Sequence, residues 1–304
     1  MKNYYWRIFI LTFFCLLPPV VLSADMAQKR VLIIIDSKQH HDQYAAIHRA
    51  LLKSELKANE IIEIDIARTS FSSTKRQISR IRPHLVYAIG PNAYRLASEI
   101  IKDKPLIFSA VNLYRHKLSS NTYGISIELS PEMPLFMCTH LFPKIRTIGV
   151  LYSENNSRWF NDAKSKADKL GLRLHGKKIE RSSEITQALR QLRVDAIWLK
   201  FDEIIFSNVG NLQTILNQRK PIIANDSLFS NYGAVLTIAT DLPALGRQAA
   251  SFAQSLLEQQ PFSAKLQFPI TYKVTVNLRK AHEYGIEINH AALSSIDKMG
   301  MIQF

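Results

Sequence analysis

From Arg30 onward the chain alternates two textures. Short continuous apolar runs, "VLIIID" (31–36), "LVYAIG" (85–90) and "PLIFSAV" (105–111), give way to segments with apolar residues at helical spacing, "DQYAAIHRALLKSEL" (42–56), "STKRQISRI" (73–81) and "AYRLASEII" (93–101). A continuous apolar run of this length predicts a strand covered on both faces. "EIIEIDIA" (60–67) alternates as a further strand, and "YGISI" (123–127) is a short extended piece.

The cycle restarts near residue 130. "SPEMPLFMCTHLFP" (130–143) predicts a helix, with Ser130 placed as a cap before Pro131. Strand and helix then alternate through "RTIGVLYS", "NDAKSKADKLGL", "LRLHGKKI", "SSEITQALRQL", "DAIWLKF", "NVGNLQTILNQR", "KPIIAN" and "GAVLTIAT". A long helix, "LPALGRQAASFAQSLLE", and a closing strand and helix, "TYKVTVNLRKAHEYG", complete the pattern. Alternation at this spacing implies parallel sheets with right-handed crossovers. The number of strands and the restart imply an α/β protein of two doubly wound parallel-sheet lobes.

Ligands of such sheets gather beyond the carboxyl ends of the strands, where loops lead into helix N-termini. Gly90, Pro91, Asn92 and Ala93 fit that place: Gly90 lets the backbone pass close to a guest, Pro91 stiffens the turn and Asn92 is placed to cap the helix. The first amides of that helix then form a seat for a carboxylate. The same turn without any ligand is an ordinary capped strand-helix junction, and the later glycines of a dinucleotide fingerprint are missing. Other strand ends carry short polar residues: Asp36 and Ser37; Ser109, Asn112 and Tyr114; Ser153, Asn155, Asn156 and Ser157; Asp202; Asp226 and Ser227; Thr240 and Asp241. Such ends suit a cleft that hydrogen-bonds a small polar ligand. Taken singly, Asp202, Asp226 and Asp241 also suit caps and turns.

Composition narrows the picture. The 304 residues are 47% hydrophobic, enough for substantial cores. Lys2 and Arg7 precede an apolar run from Ile8 to Leu22, with small residues at Ser23 and Ala24, which reads as an export signal over residues 1–24. Cys15 is not a lipidation site, because Phe13 and Phe14 stand where small residues are needed. Cys138 then remains as a lone thiol on an amphipathic helix, buried and inert. Two of the 14 net positive charges leave with the signal, so the mature chain keeps about +12. The Lys and Arg residues are scattered along the sequence and read as solvated faces; export argues against nucleic acid. Adjacent His40 and His41 point apart on most backbones and have no ligating partner at useful spacing. No phosphate loop, metal motif or serine-histidine-aspartate order is present, so no enzyme, cofactor or metal is expected.

The order of pieces resembles the ABC-transporter substrate-binding protein family that includes the tryptophan- and tyrosine-type periplasmic binding proteins. The resemblance runs from Val31 to about Ile288 through "PHLVYAIGPNAYRLA", "KPLIFSAV", "YGISIELSPEMPLFM", "FPKIRTIGVLYSENNS", "VDAIWLKFDE", "KPIIANDSLFSNYGAV", "TDLPALGRQAASFAQSLL" and "YKVTVNLRKAHEYGIEI". It implies lobes joined by three hinge crossings, placed near residues 128, 238 and 265. The lobes are then 28–128 with 238–264, and 129–237 with 265–292, followed by a tail over 293–304. By position, Gly90 to Ala93 match the family's carboxylate-binding turn, Ser153 to Ser157 a second-lobe ligand loop, and Asp202 and Asp226 polar positions able to pair with a ligand ammonium. Asn112 falls at a ligand-contact position, but Leu113 stands where the family has proline. Tyr44, Tyr94, Trp159 and Tyr232 are candidates to pack on a ligand's apolar body, or else core and rim.

The resemblance implies a monomeric periplasmic protein that binds a small organic acid, an amino acid foremost, between lobes that close by hinge motion and dock on an ABC permease. The alternative is a module that signals to a membrane kinase or cyclase.

Overall fold

The computed structural model describes residues 29–38, 41–54, 56, 58, 60–112, 118–261, 264–298 and 302–303. The export signal over 1–24, Cys15, His40, Leu113 and Tyr114 lie outside the described residues, as does the His41 side chain. None of the described helices is long and apolar enough to cross a membrane.

The continuous apolar runs become the central strands of a first sheet. Its strands are β1 (Arg30–Ile35), β2 (Glu60–Asp65), β3 (Leu85–Ile89), β4 (Leu106–Val111), β5 (Thr122–Ser126) and β11 (Leu266–Gln267). They lie in the order β11-β5-β4-β3-β1-β2, all parallel. Strand parity sorts the side chains onto two faces. Val31, Ile33, Leu85, Tyr87 and Ile89 pack with helices α1 (His41–Leu52) and α8 (Leu242–Leu257). Leu32, Ile34, Val86 and Ala88 pack with Ile78 of α2 (Phe71–Ile81) and with Ala93, Tyr94 and Ala97 of α3 (Pro91–Ile100). All five residues of β3 are buried, as a strand covered on both sides requires. Helix α8 returns to this lobe by close approach to α1: a Cβ on Gly246 would stand 2.3 Å from the Ile47 carbonyl oxygen.

The second sheet contains β6 (Thr147–Tyr152), β7 (Arg173–Lys178), β8 (Ala196–Leu199), β9 (Ile222–Ala224), β10 (Leu236–Thr240), β12 (Tyr272–Val276) and β13 (Ile302–Gln303), in the order β13-β12-β10-β9-β8-β6-β7. It is parallel except where β12 runs antiparallel to β10. On one face, α4 (Glu132–Leu141) and α5 (Ser157–Lys169) cover Ile148, Val150, Trp198 and Ile238. On the other, α6 (Ile185–Gln191) and α7 (Val209–Leu216) cover Leu151, Ile197, Leu199 and Ile222. Cys138 is fully buried in α4, and burial, with Asp195 adding a negative charge, pushes its thiol up to about 12.

Two details depart from the sequence reading. The expected tail contains most of a packed helix, α10 (His290–Lys298), preceded by α9 (Leu278–Glu283). Asn289 caps α10 through the Ala292 amide (3.2 Å), and Ala292, Leu293 and Ile296 sit at helical spacing in the second-lobe core. Of the three crossings, the second and third fall a little later than read, since β10 stays in the second sheet to Thr240 and β11 still pairs with β5. They run side by side: Thr240 Oγ1 donates to the Ile127 carbonyl (2.7 Å) and the Asp241 amide to that of Thr271 (3.3 Å).

Candidate functional site

At the end of β3 the chain turns through Gly90 with φ +91° and ψ 164°, a conformation essentially reserved for glycine. A Cβ there would meet the Tyr44 ring at 2.6 Å, so the turn also needs hydrogen for space. The helix begins at Pro91, two residues before the apolar spacing suggested, and Gly90 is its N-cap. That corrects the capping role read for Asn92. A glycine cap has no side-chain oxygen, and Asn92 instead donates from Nδ2 to Asp36 Oδ2 (2.8 Å) at the end of β1. Pro91 has no amide hydrogen, Tyr94 donates to the Gly90 carbonyl (3.0 Å), and the Asn92 and Ala93 amides have no intrahelical acceptor. The positive end of the α3 dipole is thus left without a side-chain cap.

The neighbouring strand ends are tied together by hydrogen bonds. Ser37 donates from its amide (3.1 Å) and hydroxyl (2.6 Å) to Asp65, which also accepts from the Ala67 amide (3.1 Å). Burial opposes ionisation of Asp65, but the Ser37 and Ala67 bonds and nearby Arg68 outweigh it and hold the carboxyl below its ordinary value. Burial, with Asp36 adding a negative charge, pushes the Tyr44 hydroxyl up to about 12, so it stays neutral beside Gly90.

On the second lobe the polar strand ends converge on carboxylates. Asp202 is buried and accepts from the Ser153 amide (2.6 Å), Asn156 Nδ2 (2.7 Å) and the Ile204 amide (3.0 Å). Glu203 accepts from Asn155 Nδ2 and from Ser153 Oγ (3.4 Å). Ser153, Asn155 and Glu203 line a groove of about 330 Å³ on this rim. Ser157 opens α5 just after this loop. Asp226 and Asp241 each cap a helix, accepting from the Leu228 amide (2.9 Å) and the Ala244 amide (3.0 Å) respectively. Among the described residues no group of three or more His, Cys, Asp or Glu is placed to hold a metal ion.

A bridge between the lobes was not singled out from the sequence. Lys200, at the end of β8 and only 3% exposed, donates to Glu128 Oε1 (2.7 Å) and lies 5.0 Å from the centroid of the Trp159 ring. The same Glu128 oxygen accepts from Asn112 Nδ2 (3.0 Å), just past the irregularity in β4 where Ala110 takes φ 59°. The chain Asn112–Glu128–Lys200 therefore runs from the first-lobe sheet, through a crossing, to the second. Three buried atoms on and beside it have no hydrogen-bond partner: Glu128 Oε2, Asn156 Oδ1 and Trp159 Nε1. The signal was present: a lysine closes the apolar run "AIWL", and a glutamate follows "YGISI" where the chain leaves the first sheet.

The aromatic candidates divide. Tyr44 packs on Gly90, Tyr94 is buried against Phe108 (4.7 Å between centroids), and Trp159 is fully buried edge-on to Trp198 (4.9 Å). Tyr232 is 56% exposed, near Phe229. Ser109 is bonded to the buried Tyr87 hydroxyl.

The profile of the family described as ABC transporter substrate binding protein matches residues 30–299. The chain belongs to that family. A tyrosine-binding protein of Clostridioides difficile (strain R20291) is 30% identical over 229 residues, a match spanning 69% of this chain and 66% of that protein's length. Two solved structures share this substrate-binding protein fold. One is an ABC domain in complex with L-Trp from Streptococcus pneumonia, with a TM-score of 0.59 and 22% identity over 88% of this chain and 98% of that one. The other is the ligand-free, open structure of a substrate binding protein with adhesive properties from Clostridium difficile, with a TM-score of 0.65 and 21% identity over 85% and 95% of the two chains.

Proposed function

We propose that this substrate-binding protein captures a free amino acid, one with an aromatic side chain foremost, between its lobes and presents it to an ABC permease. The observation that carries the reading is the helix start at Gly90: amides at the positive end of α3 have no side-chain cap, while strand ends of the other lobe are acidic. A zwitterion matches that pair of ends, its carboxylate on the Asn92 and Ala93 amides and its ammonium toward Asp202 and Glu203. The ligands named for the relatives, tyrosine and L-Trp, supply the side-chain class. The chain works as a monomer in the periplasm after loss of residues 1–24, and performs no chemistry on its cargo.

The test is a thermal-shift screen of the twenty amino acids followed by titration calorimetry of responders. Ligand at about 100 times its Kd adds about 2.7 kcal/mol to folding stability, enough to raise the midpoint by several degrees. No shift with any amino acid or small organic acid would end the reading.

A further inference from the structure

Between Ile66 and Ser98 the chain carries Arg68, Lys75, Arg76, Arg80, Arg82 and Arg95 and not one Asp or Glu. Scattered in the sequence, half of these basic residues are gathered by helix α2. Phe71, Ser72, Lys75, Arg76, Ser79 and Arg80 recur at helical spacing, are all exposed, and line one shallow depression along the helix. Thr74 and Ile78 take the opposite, buried side. Among the described residues, Lys75, Arg76 and Arg80 have no carboxylate within ion-pair distance; Arg68 does, in Asp65 (3.3 Å). At the amino end of the stripe Phe71 is 47% exposed.

Helix α5 shows what an ordinary solvated basic helix looks like in this protein. Its lysines alternate with Asp162 and Asp168, and Lys166 pairs with Asp162 (3.0 Å). Helix α2 has cations of one sign, interleaved serines and an aromatic ring. An open, shallow face of that kind offers no enclosed pocket for a single carboxylate; it suits a broad, dense array of negative charge with an apolar layer beneath for the ring.

We infer that the exposed face of α2 docks the protein on a bilayer rich in anionic phospholipid, with Lys75, Arg76 and Arg80 on the headgroups and Phe71 at the acyl boundary. The proposal does not depend on the identity of the ligand. Docking keeps the protein on the membrane surface, so that its search for a membrane partner runs in two dimensions.

The test is co-sedimentation of the protein, purified in soluble form, with vesicles of phosphatidylglycerol and phosphatidylethanolamine or of phosphatidylcholine alone, at roughly physiological salt. The expected result is partition onto the anionic vesicles only. The triple reversal Lys75→Glu, Arg76→Glu, Arg80→Glu weakens it by roughly tenfold or more, and the neutral triple to Gln by less. Phe71→Ser weakens it severalfold. An equal reversal on the second lobe, Lys164→Glu, Lys169→Glu, Arg190→Glu, changes it by less than about threefold, which separates the stripe from bulk charge. All substituted positions are exposed, and an unchanged unfolding midpoint certifies each variant. No partition of the parent onto anionic vesicles overturns the proposal. So does equal weakening by the two reversals, or binding insensitive to both, as an apolar leader would give.

Discussion

The strand ends of the two lobes carry opposite electrostatics on a similar doubly wound plan. On the first lobe, the strand end at Gly90 presents backbone: a glycine cap without an oxygen, and amides at the positive end of a helix. The nearby carboxylates are already committed, Asp36 to Asn92 and Asp65 to Ser37. On the second lobe the strand ends carry carboxylates: Asp202, buried and itself accepting from the Ser153 and Ile204 amides and Asn156, and Glu203, half-buried and held by Asn155 and Ser153. One rim offers donors and the other acceptors. Under the proposed function recognition is divided between the lobes, and the join between them then matters as much as either set of strand ends.

Breaking the join has the largest expected effect. Lys200→Met leaves the half-buried Glu128 without its cation; removing one partner of a fully buried pair costs about 3–5 kcal/mol, and the loss here reaches the lower part of that range. Adding Glu128→Leu recovers most of that loss. Urea unfolding of the two single variants and the double checks it; additive losses would show that the pair does not couple the lobes. Next is the donor rim. Gly90→Ala forces an L-residue into a glycine-only conformation against the Tyr44 ring, at about 2–4 kcal/mol for strain and overpacking together. It also abolishes ligand binding in calorimetry, whereas an unaltered Kd would separate this turn from the ligand. The smallest effect is the acid response of Asp65. Its folded value lies below the ordinary one, so its stabilisation is complete above about pH 4 and lost as pH falls through the lowered value. Between pH 6 and pH 3 the urea midpoint of the parent falls more steeply than that of Asp65→Asn; parallel slopes would contradict the assignment.

Much of this was legible in the sequence, for reasons that differ by element. The runs "VLIIID" and "LVYAIG" announce doubly covered strands because nothing else fills such positions, and the restart near residue 130 announces the second lobe. The Gly90-Pro91 turn was legible because its backbone demands glycine at the cap and favours proline at the first helical position. The start of α3 was misplaced because Asn92 is a good cap by type, and only the spatial neighbour Asp36 reveals where its amide goes. Helix α10 was read as tail because its apolar face is short and needs Leu141 and its neighbours to be recognised as a face. The Asn112–Glu128–Lys200 bridge joins residues 16 and 72 positions apart: each polar residue at the end of its apolar run is visible in the sequence, but not which partner it takes.

The central claim is that the uncapped start of α3 holds a carboxylate. Titration calorimetry of L-tyrosine and L-tryptophan, each against its own carboxamide, tests it directly. The account predicts that the acids bind and that the carboxamides, which keep the ring and the amine but lose the negative end, bind roughly a hundredfold more weakly or not at all. Acid and carboxamide binding with equal affinity would contradict it.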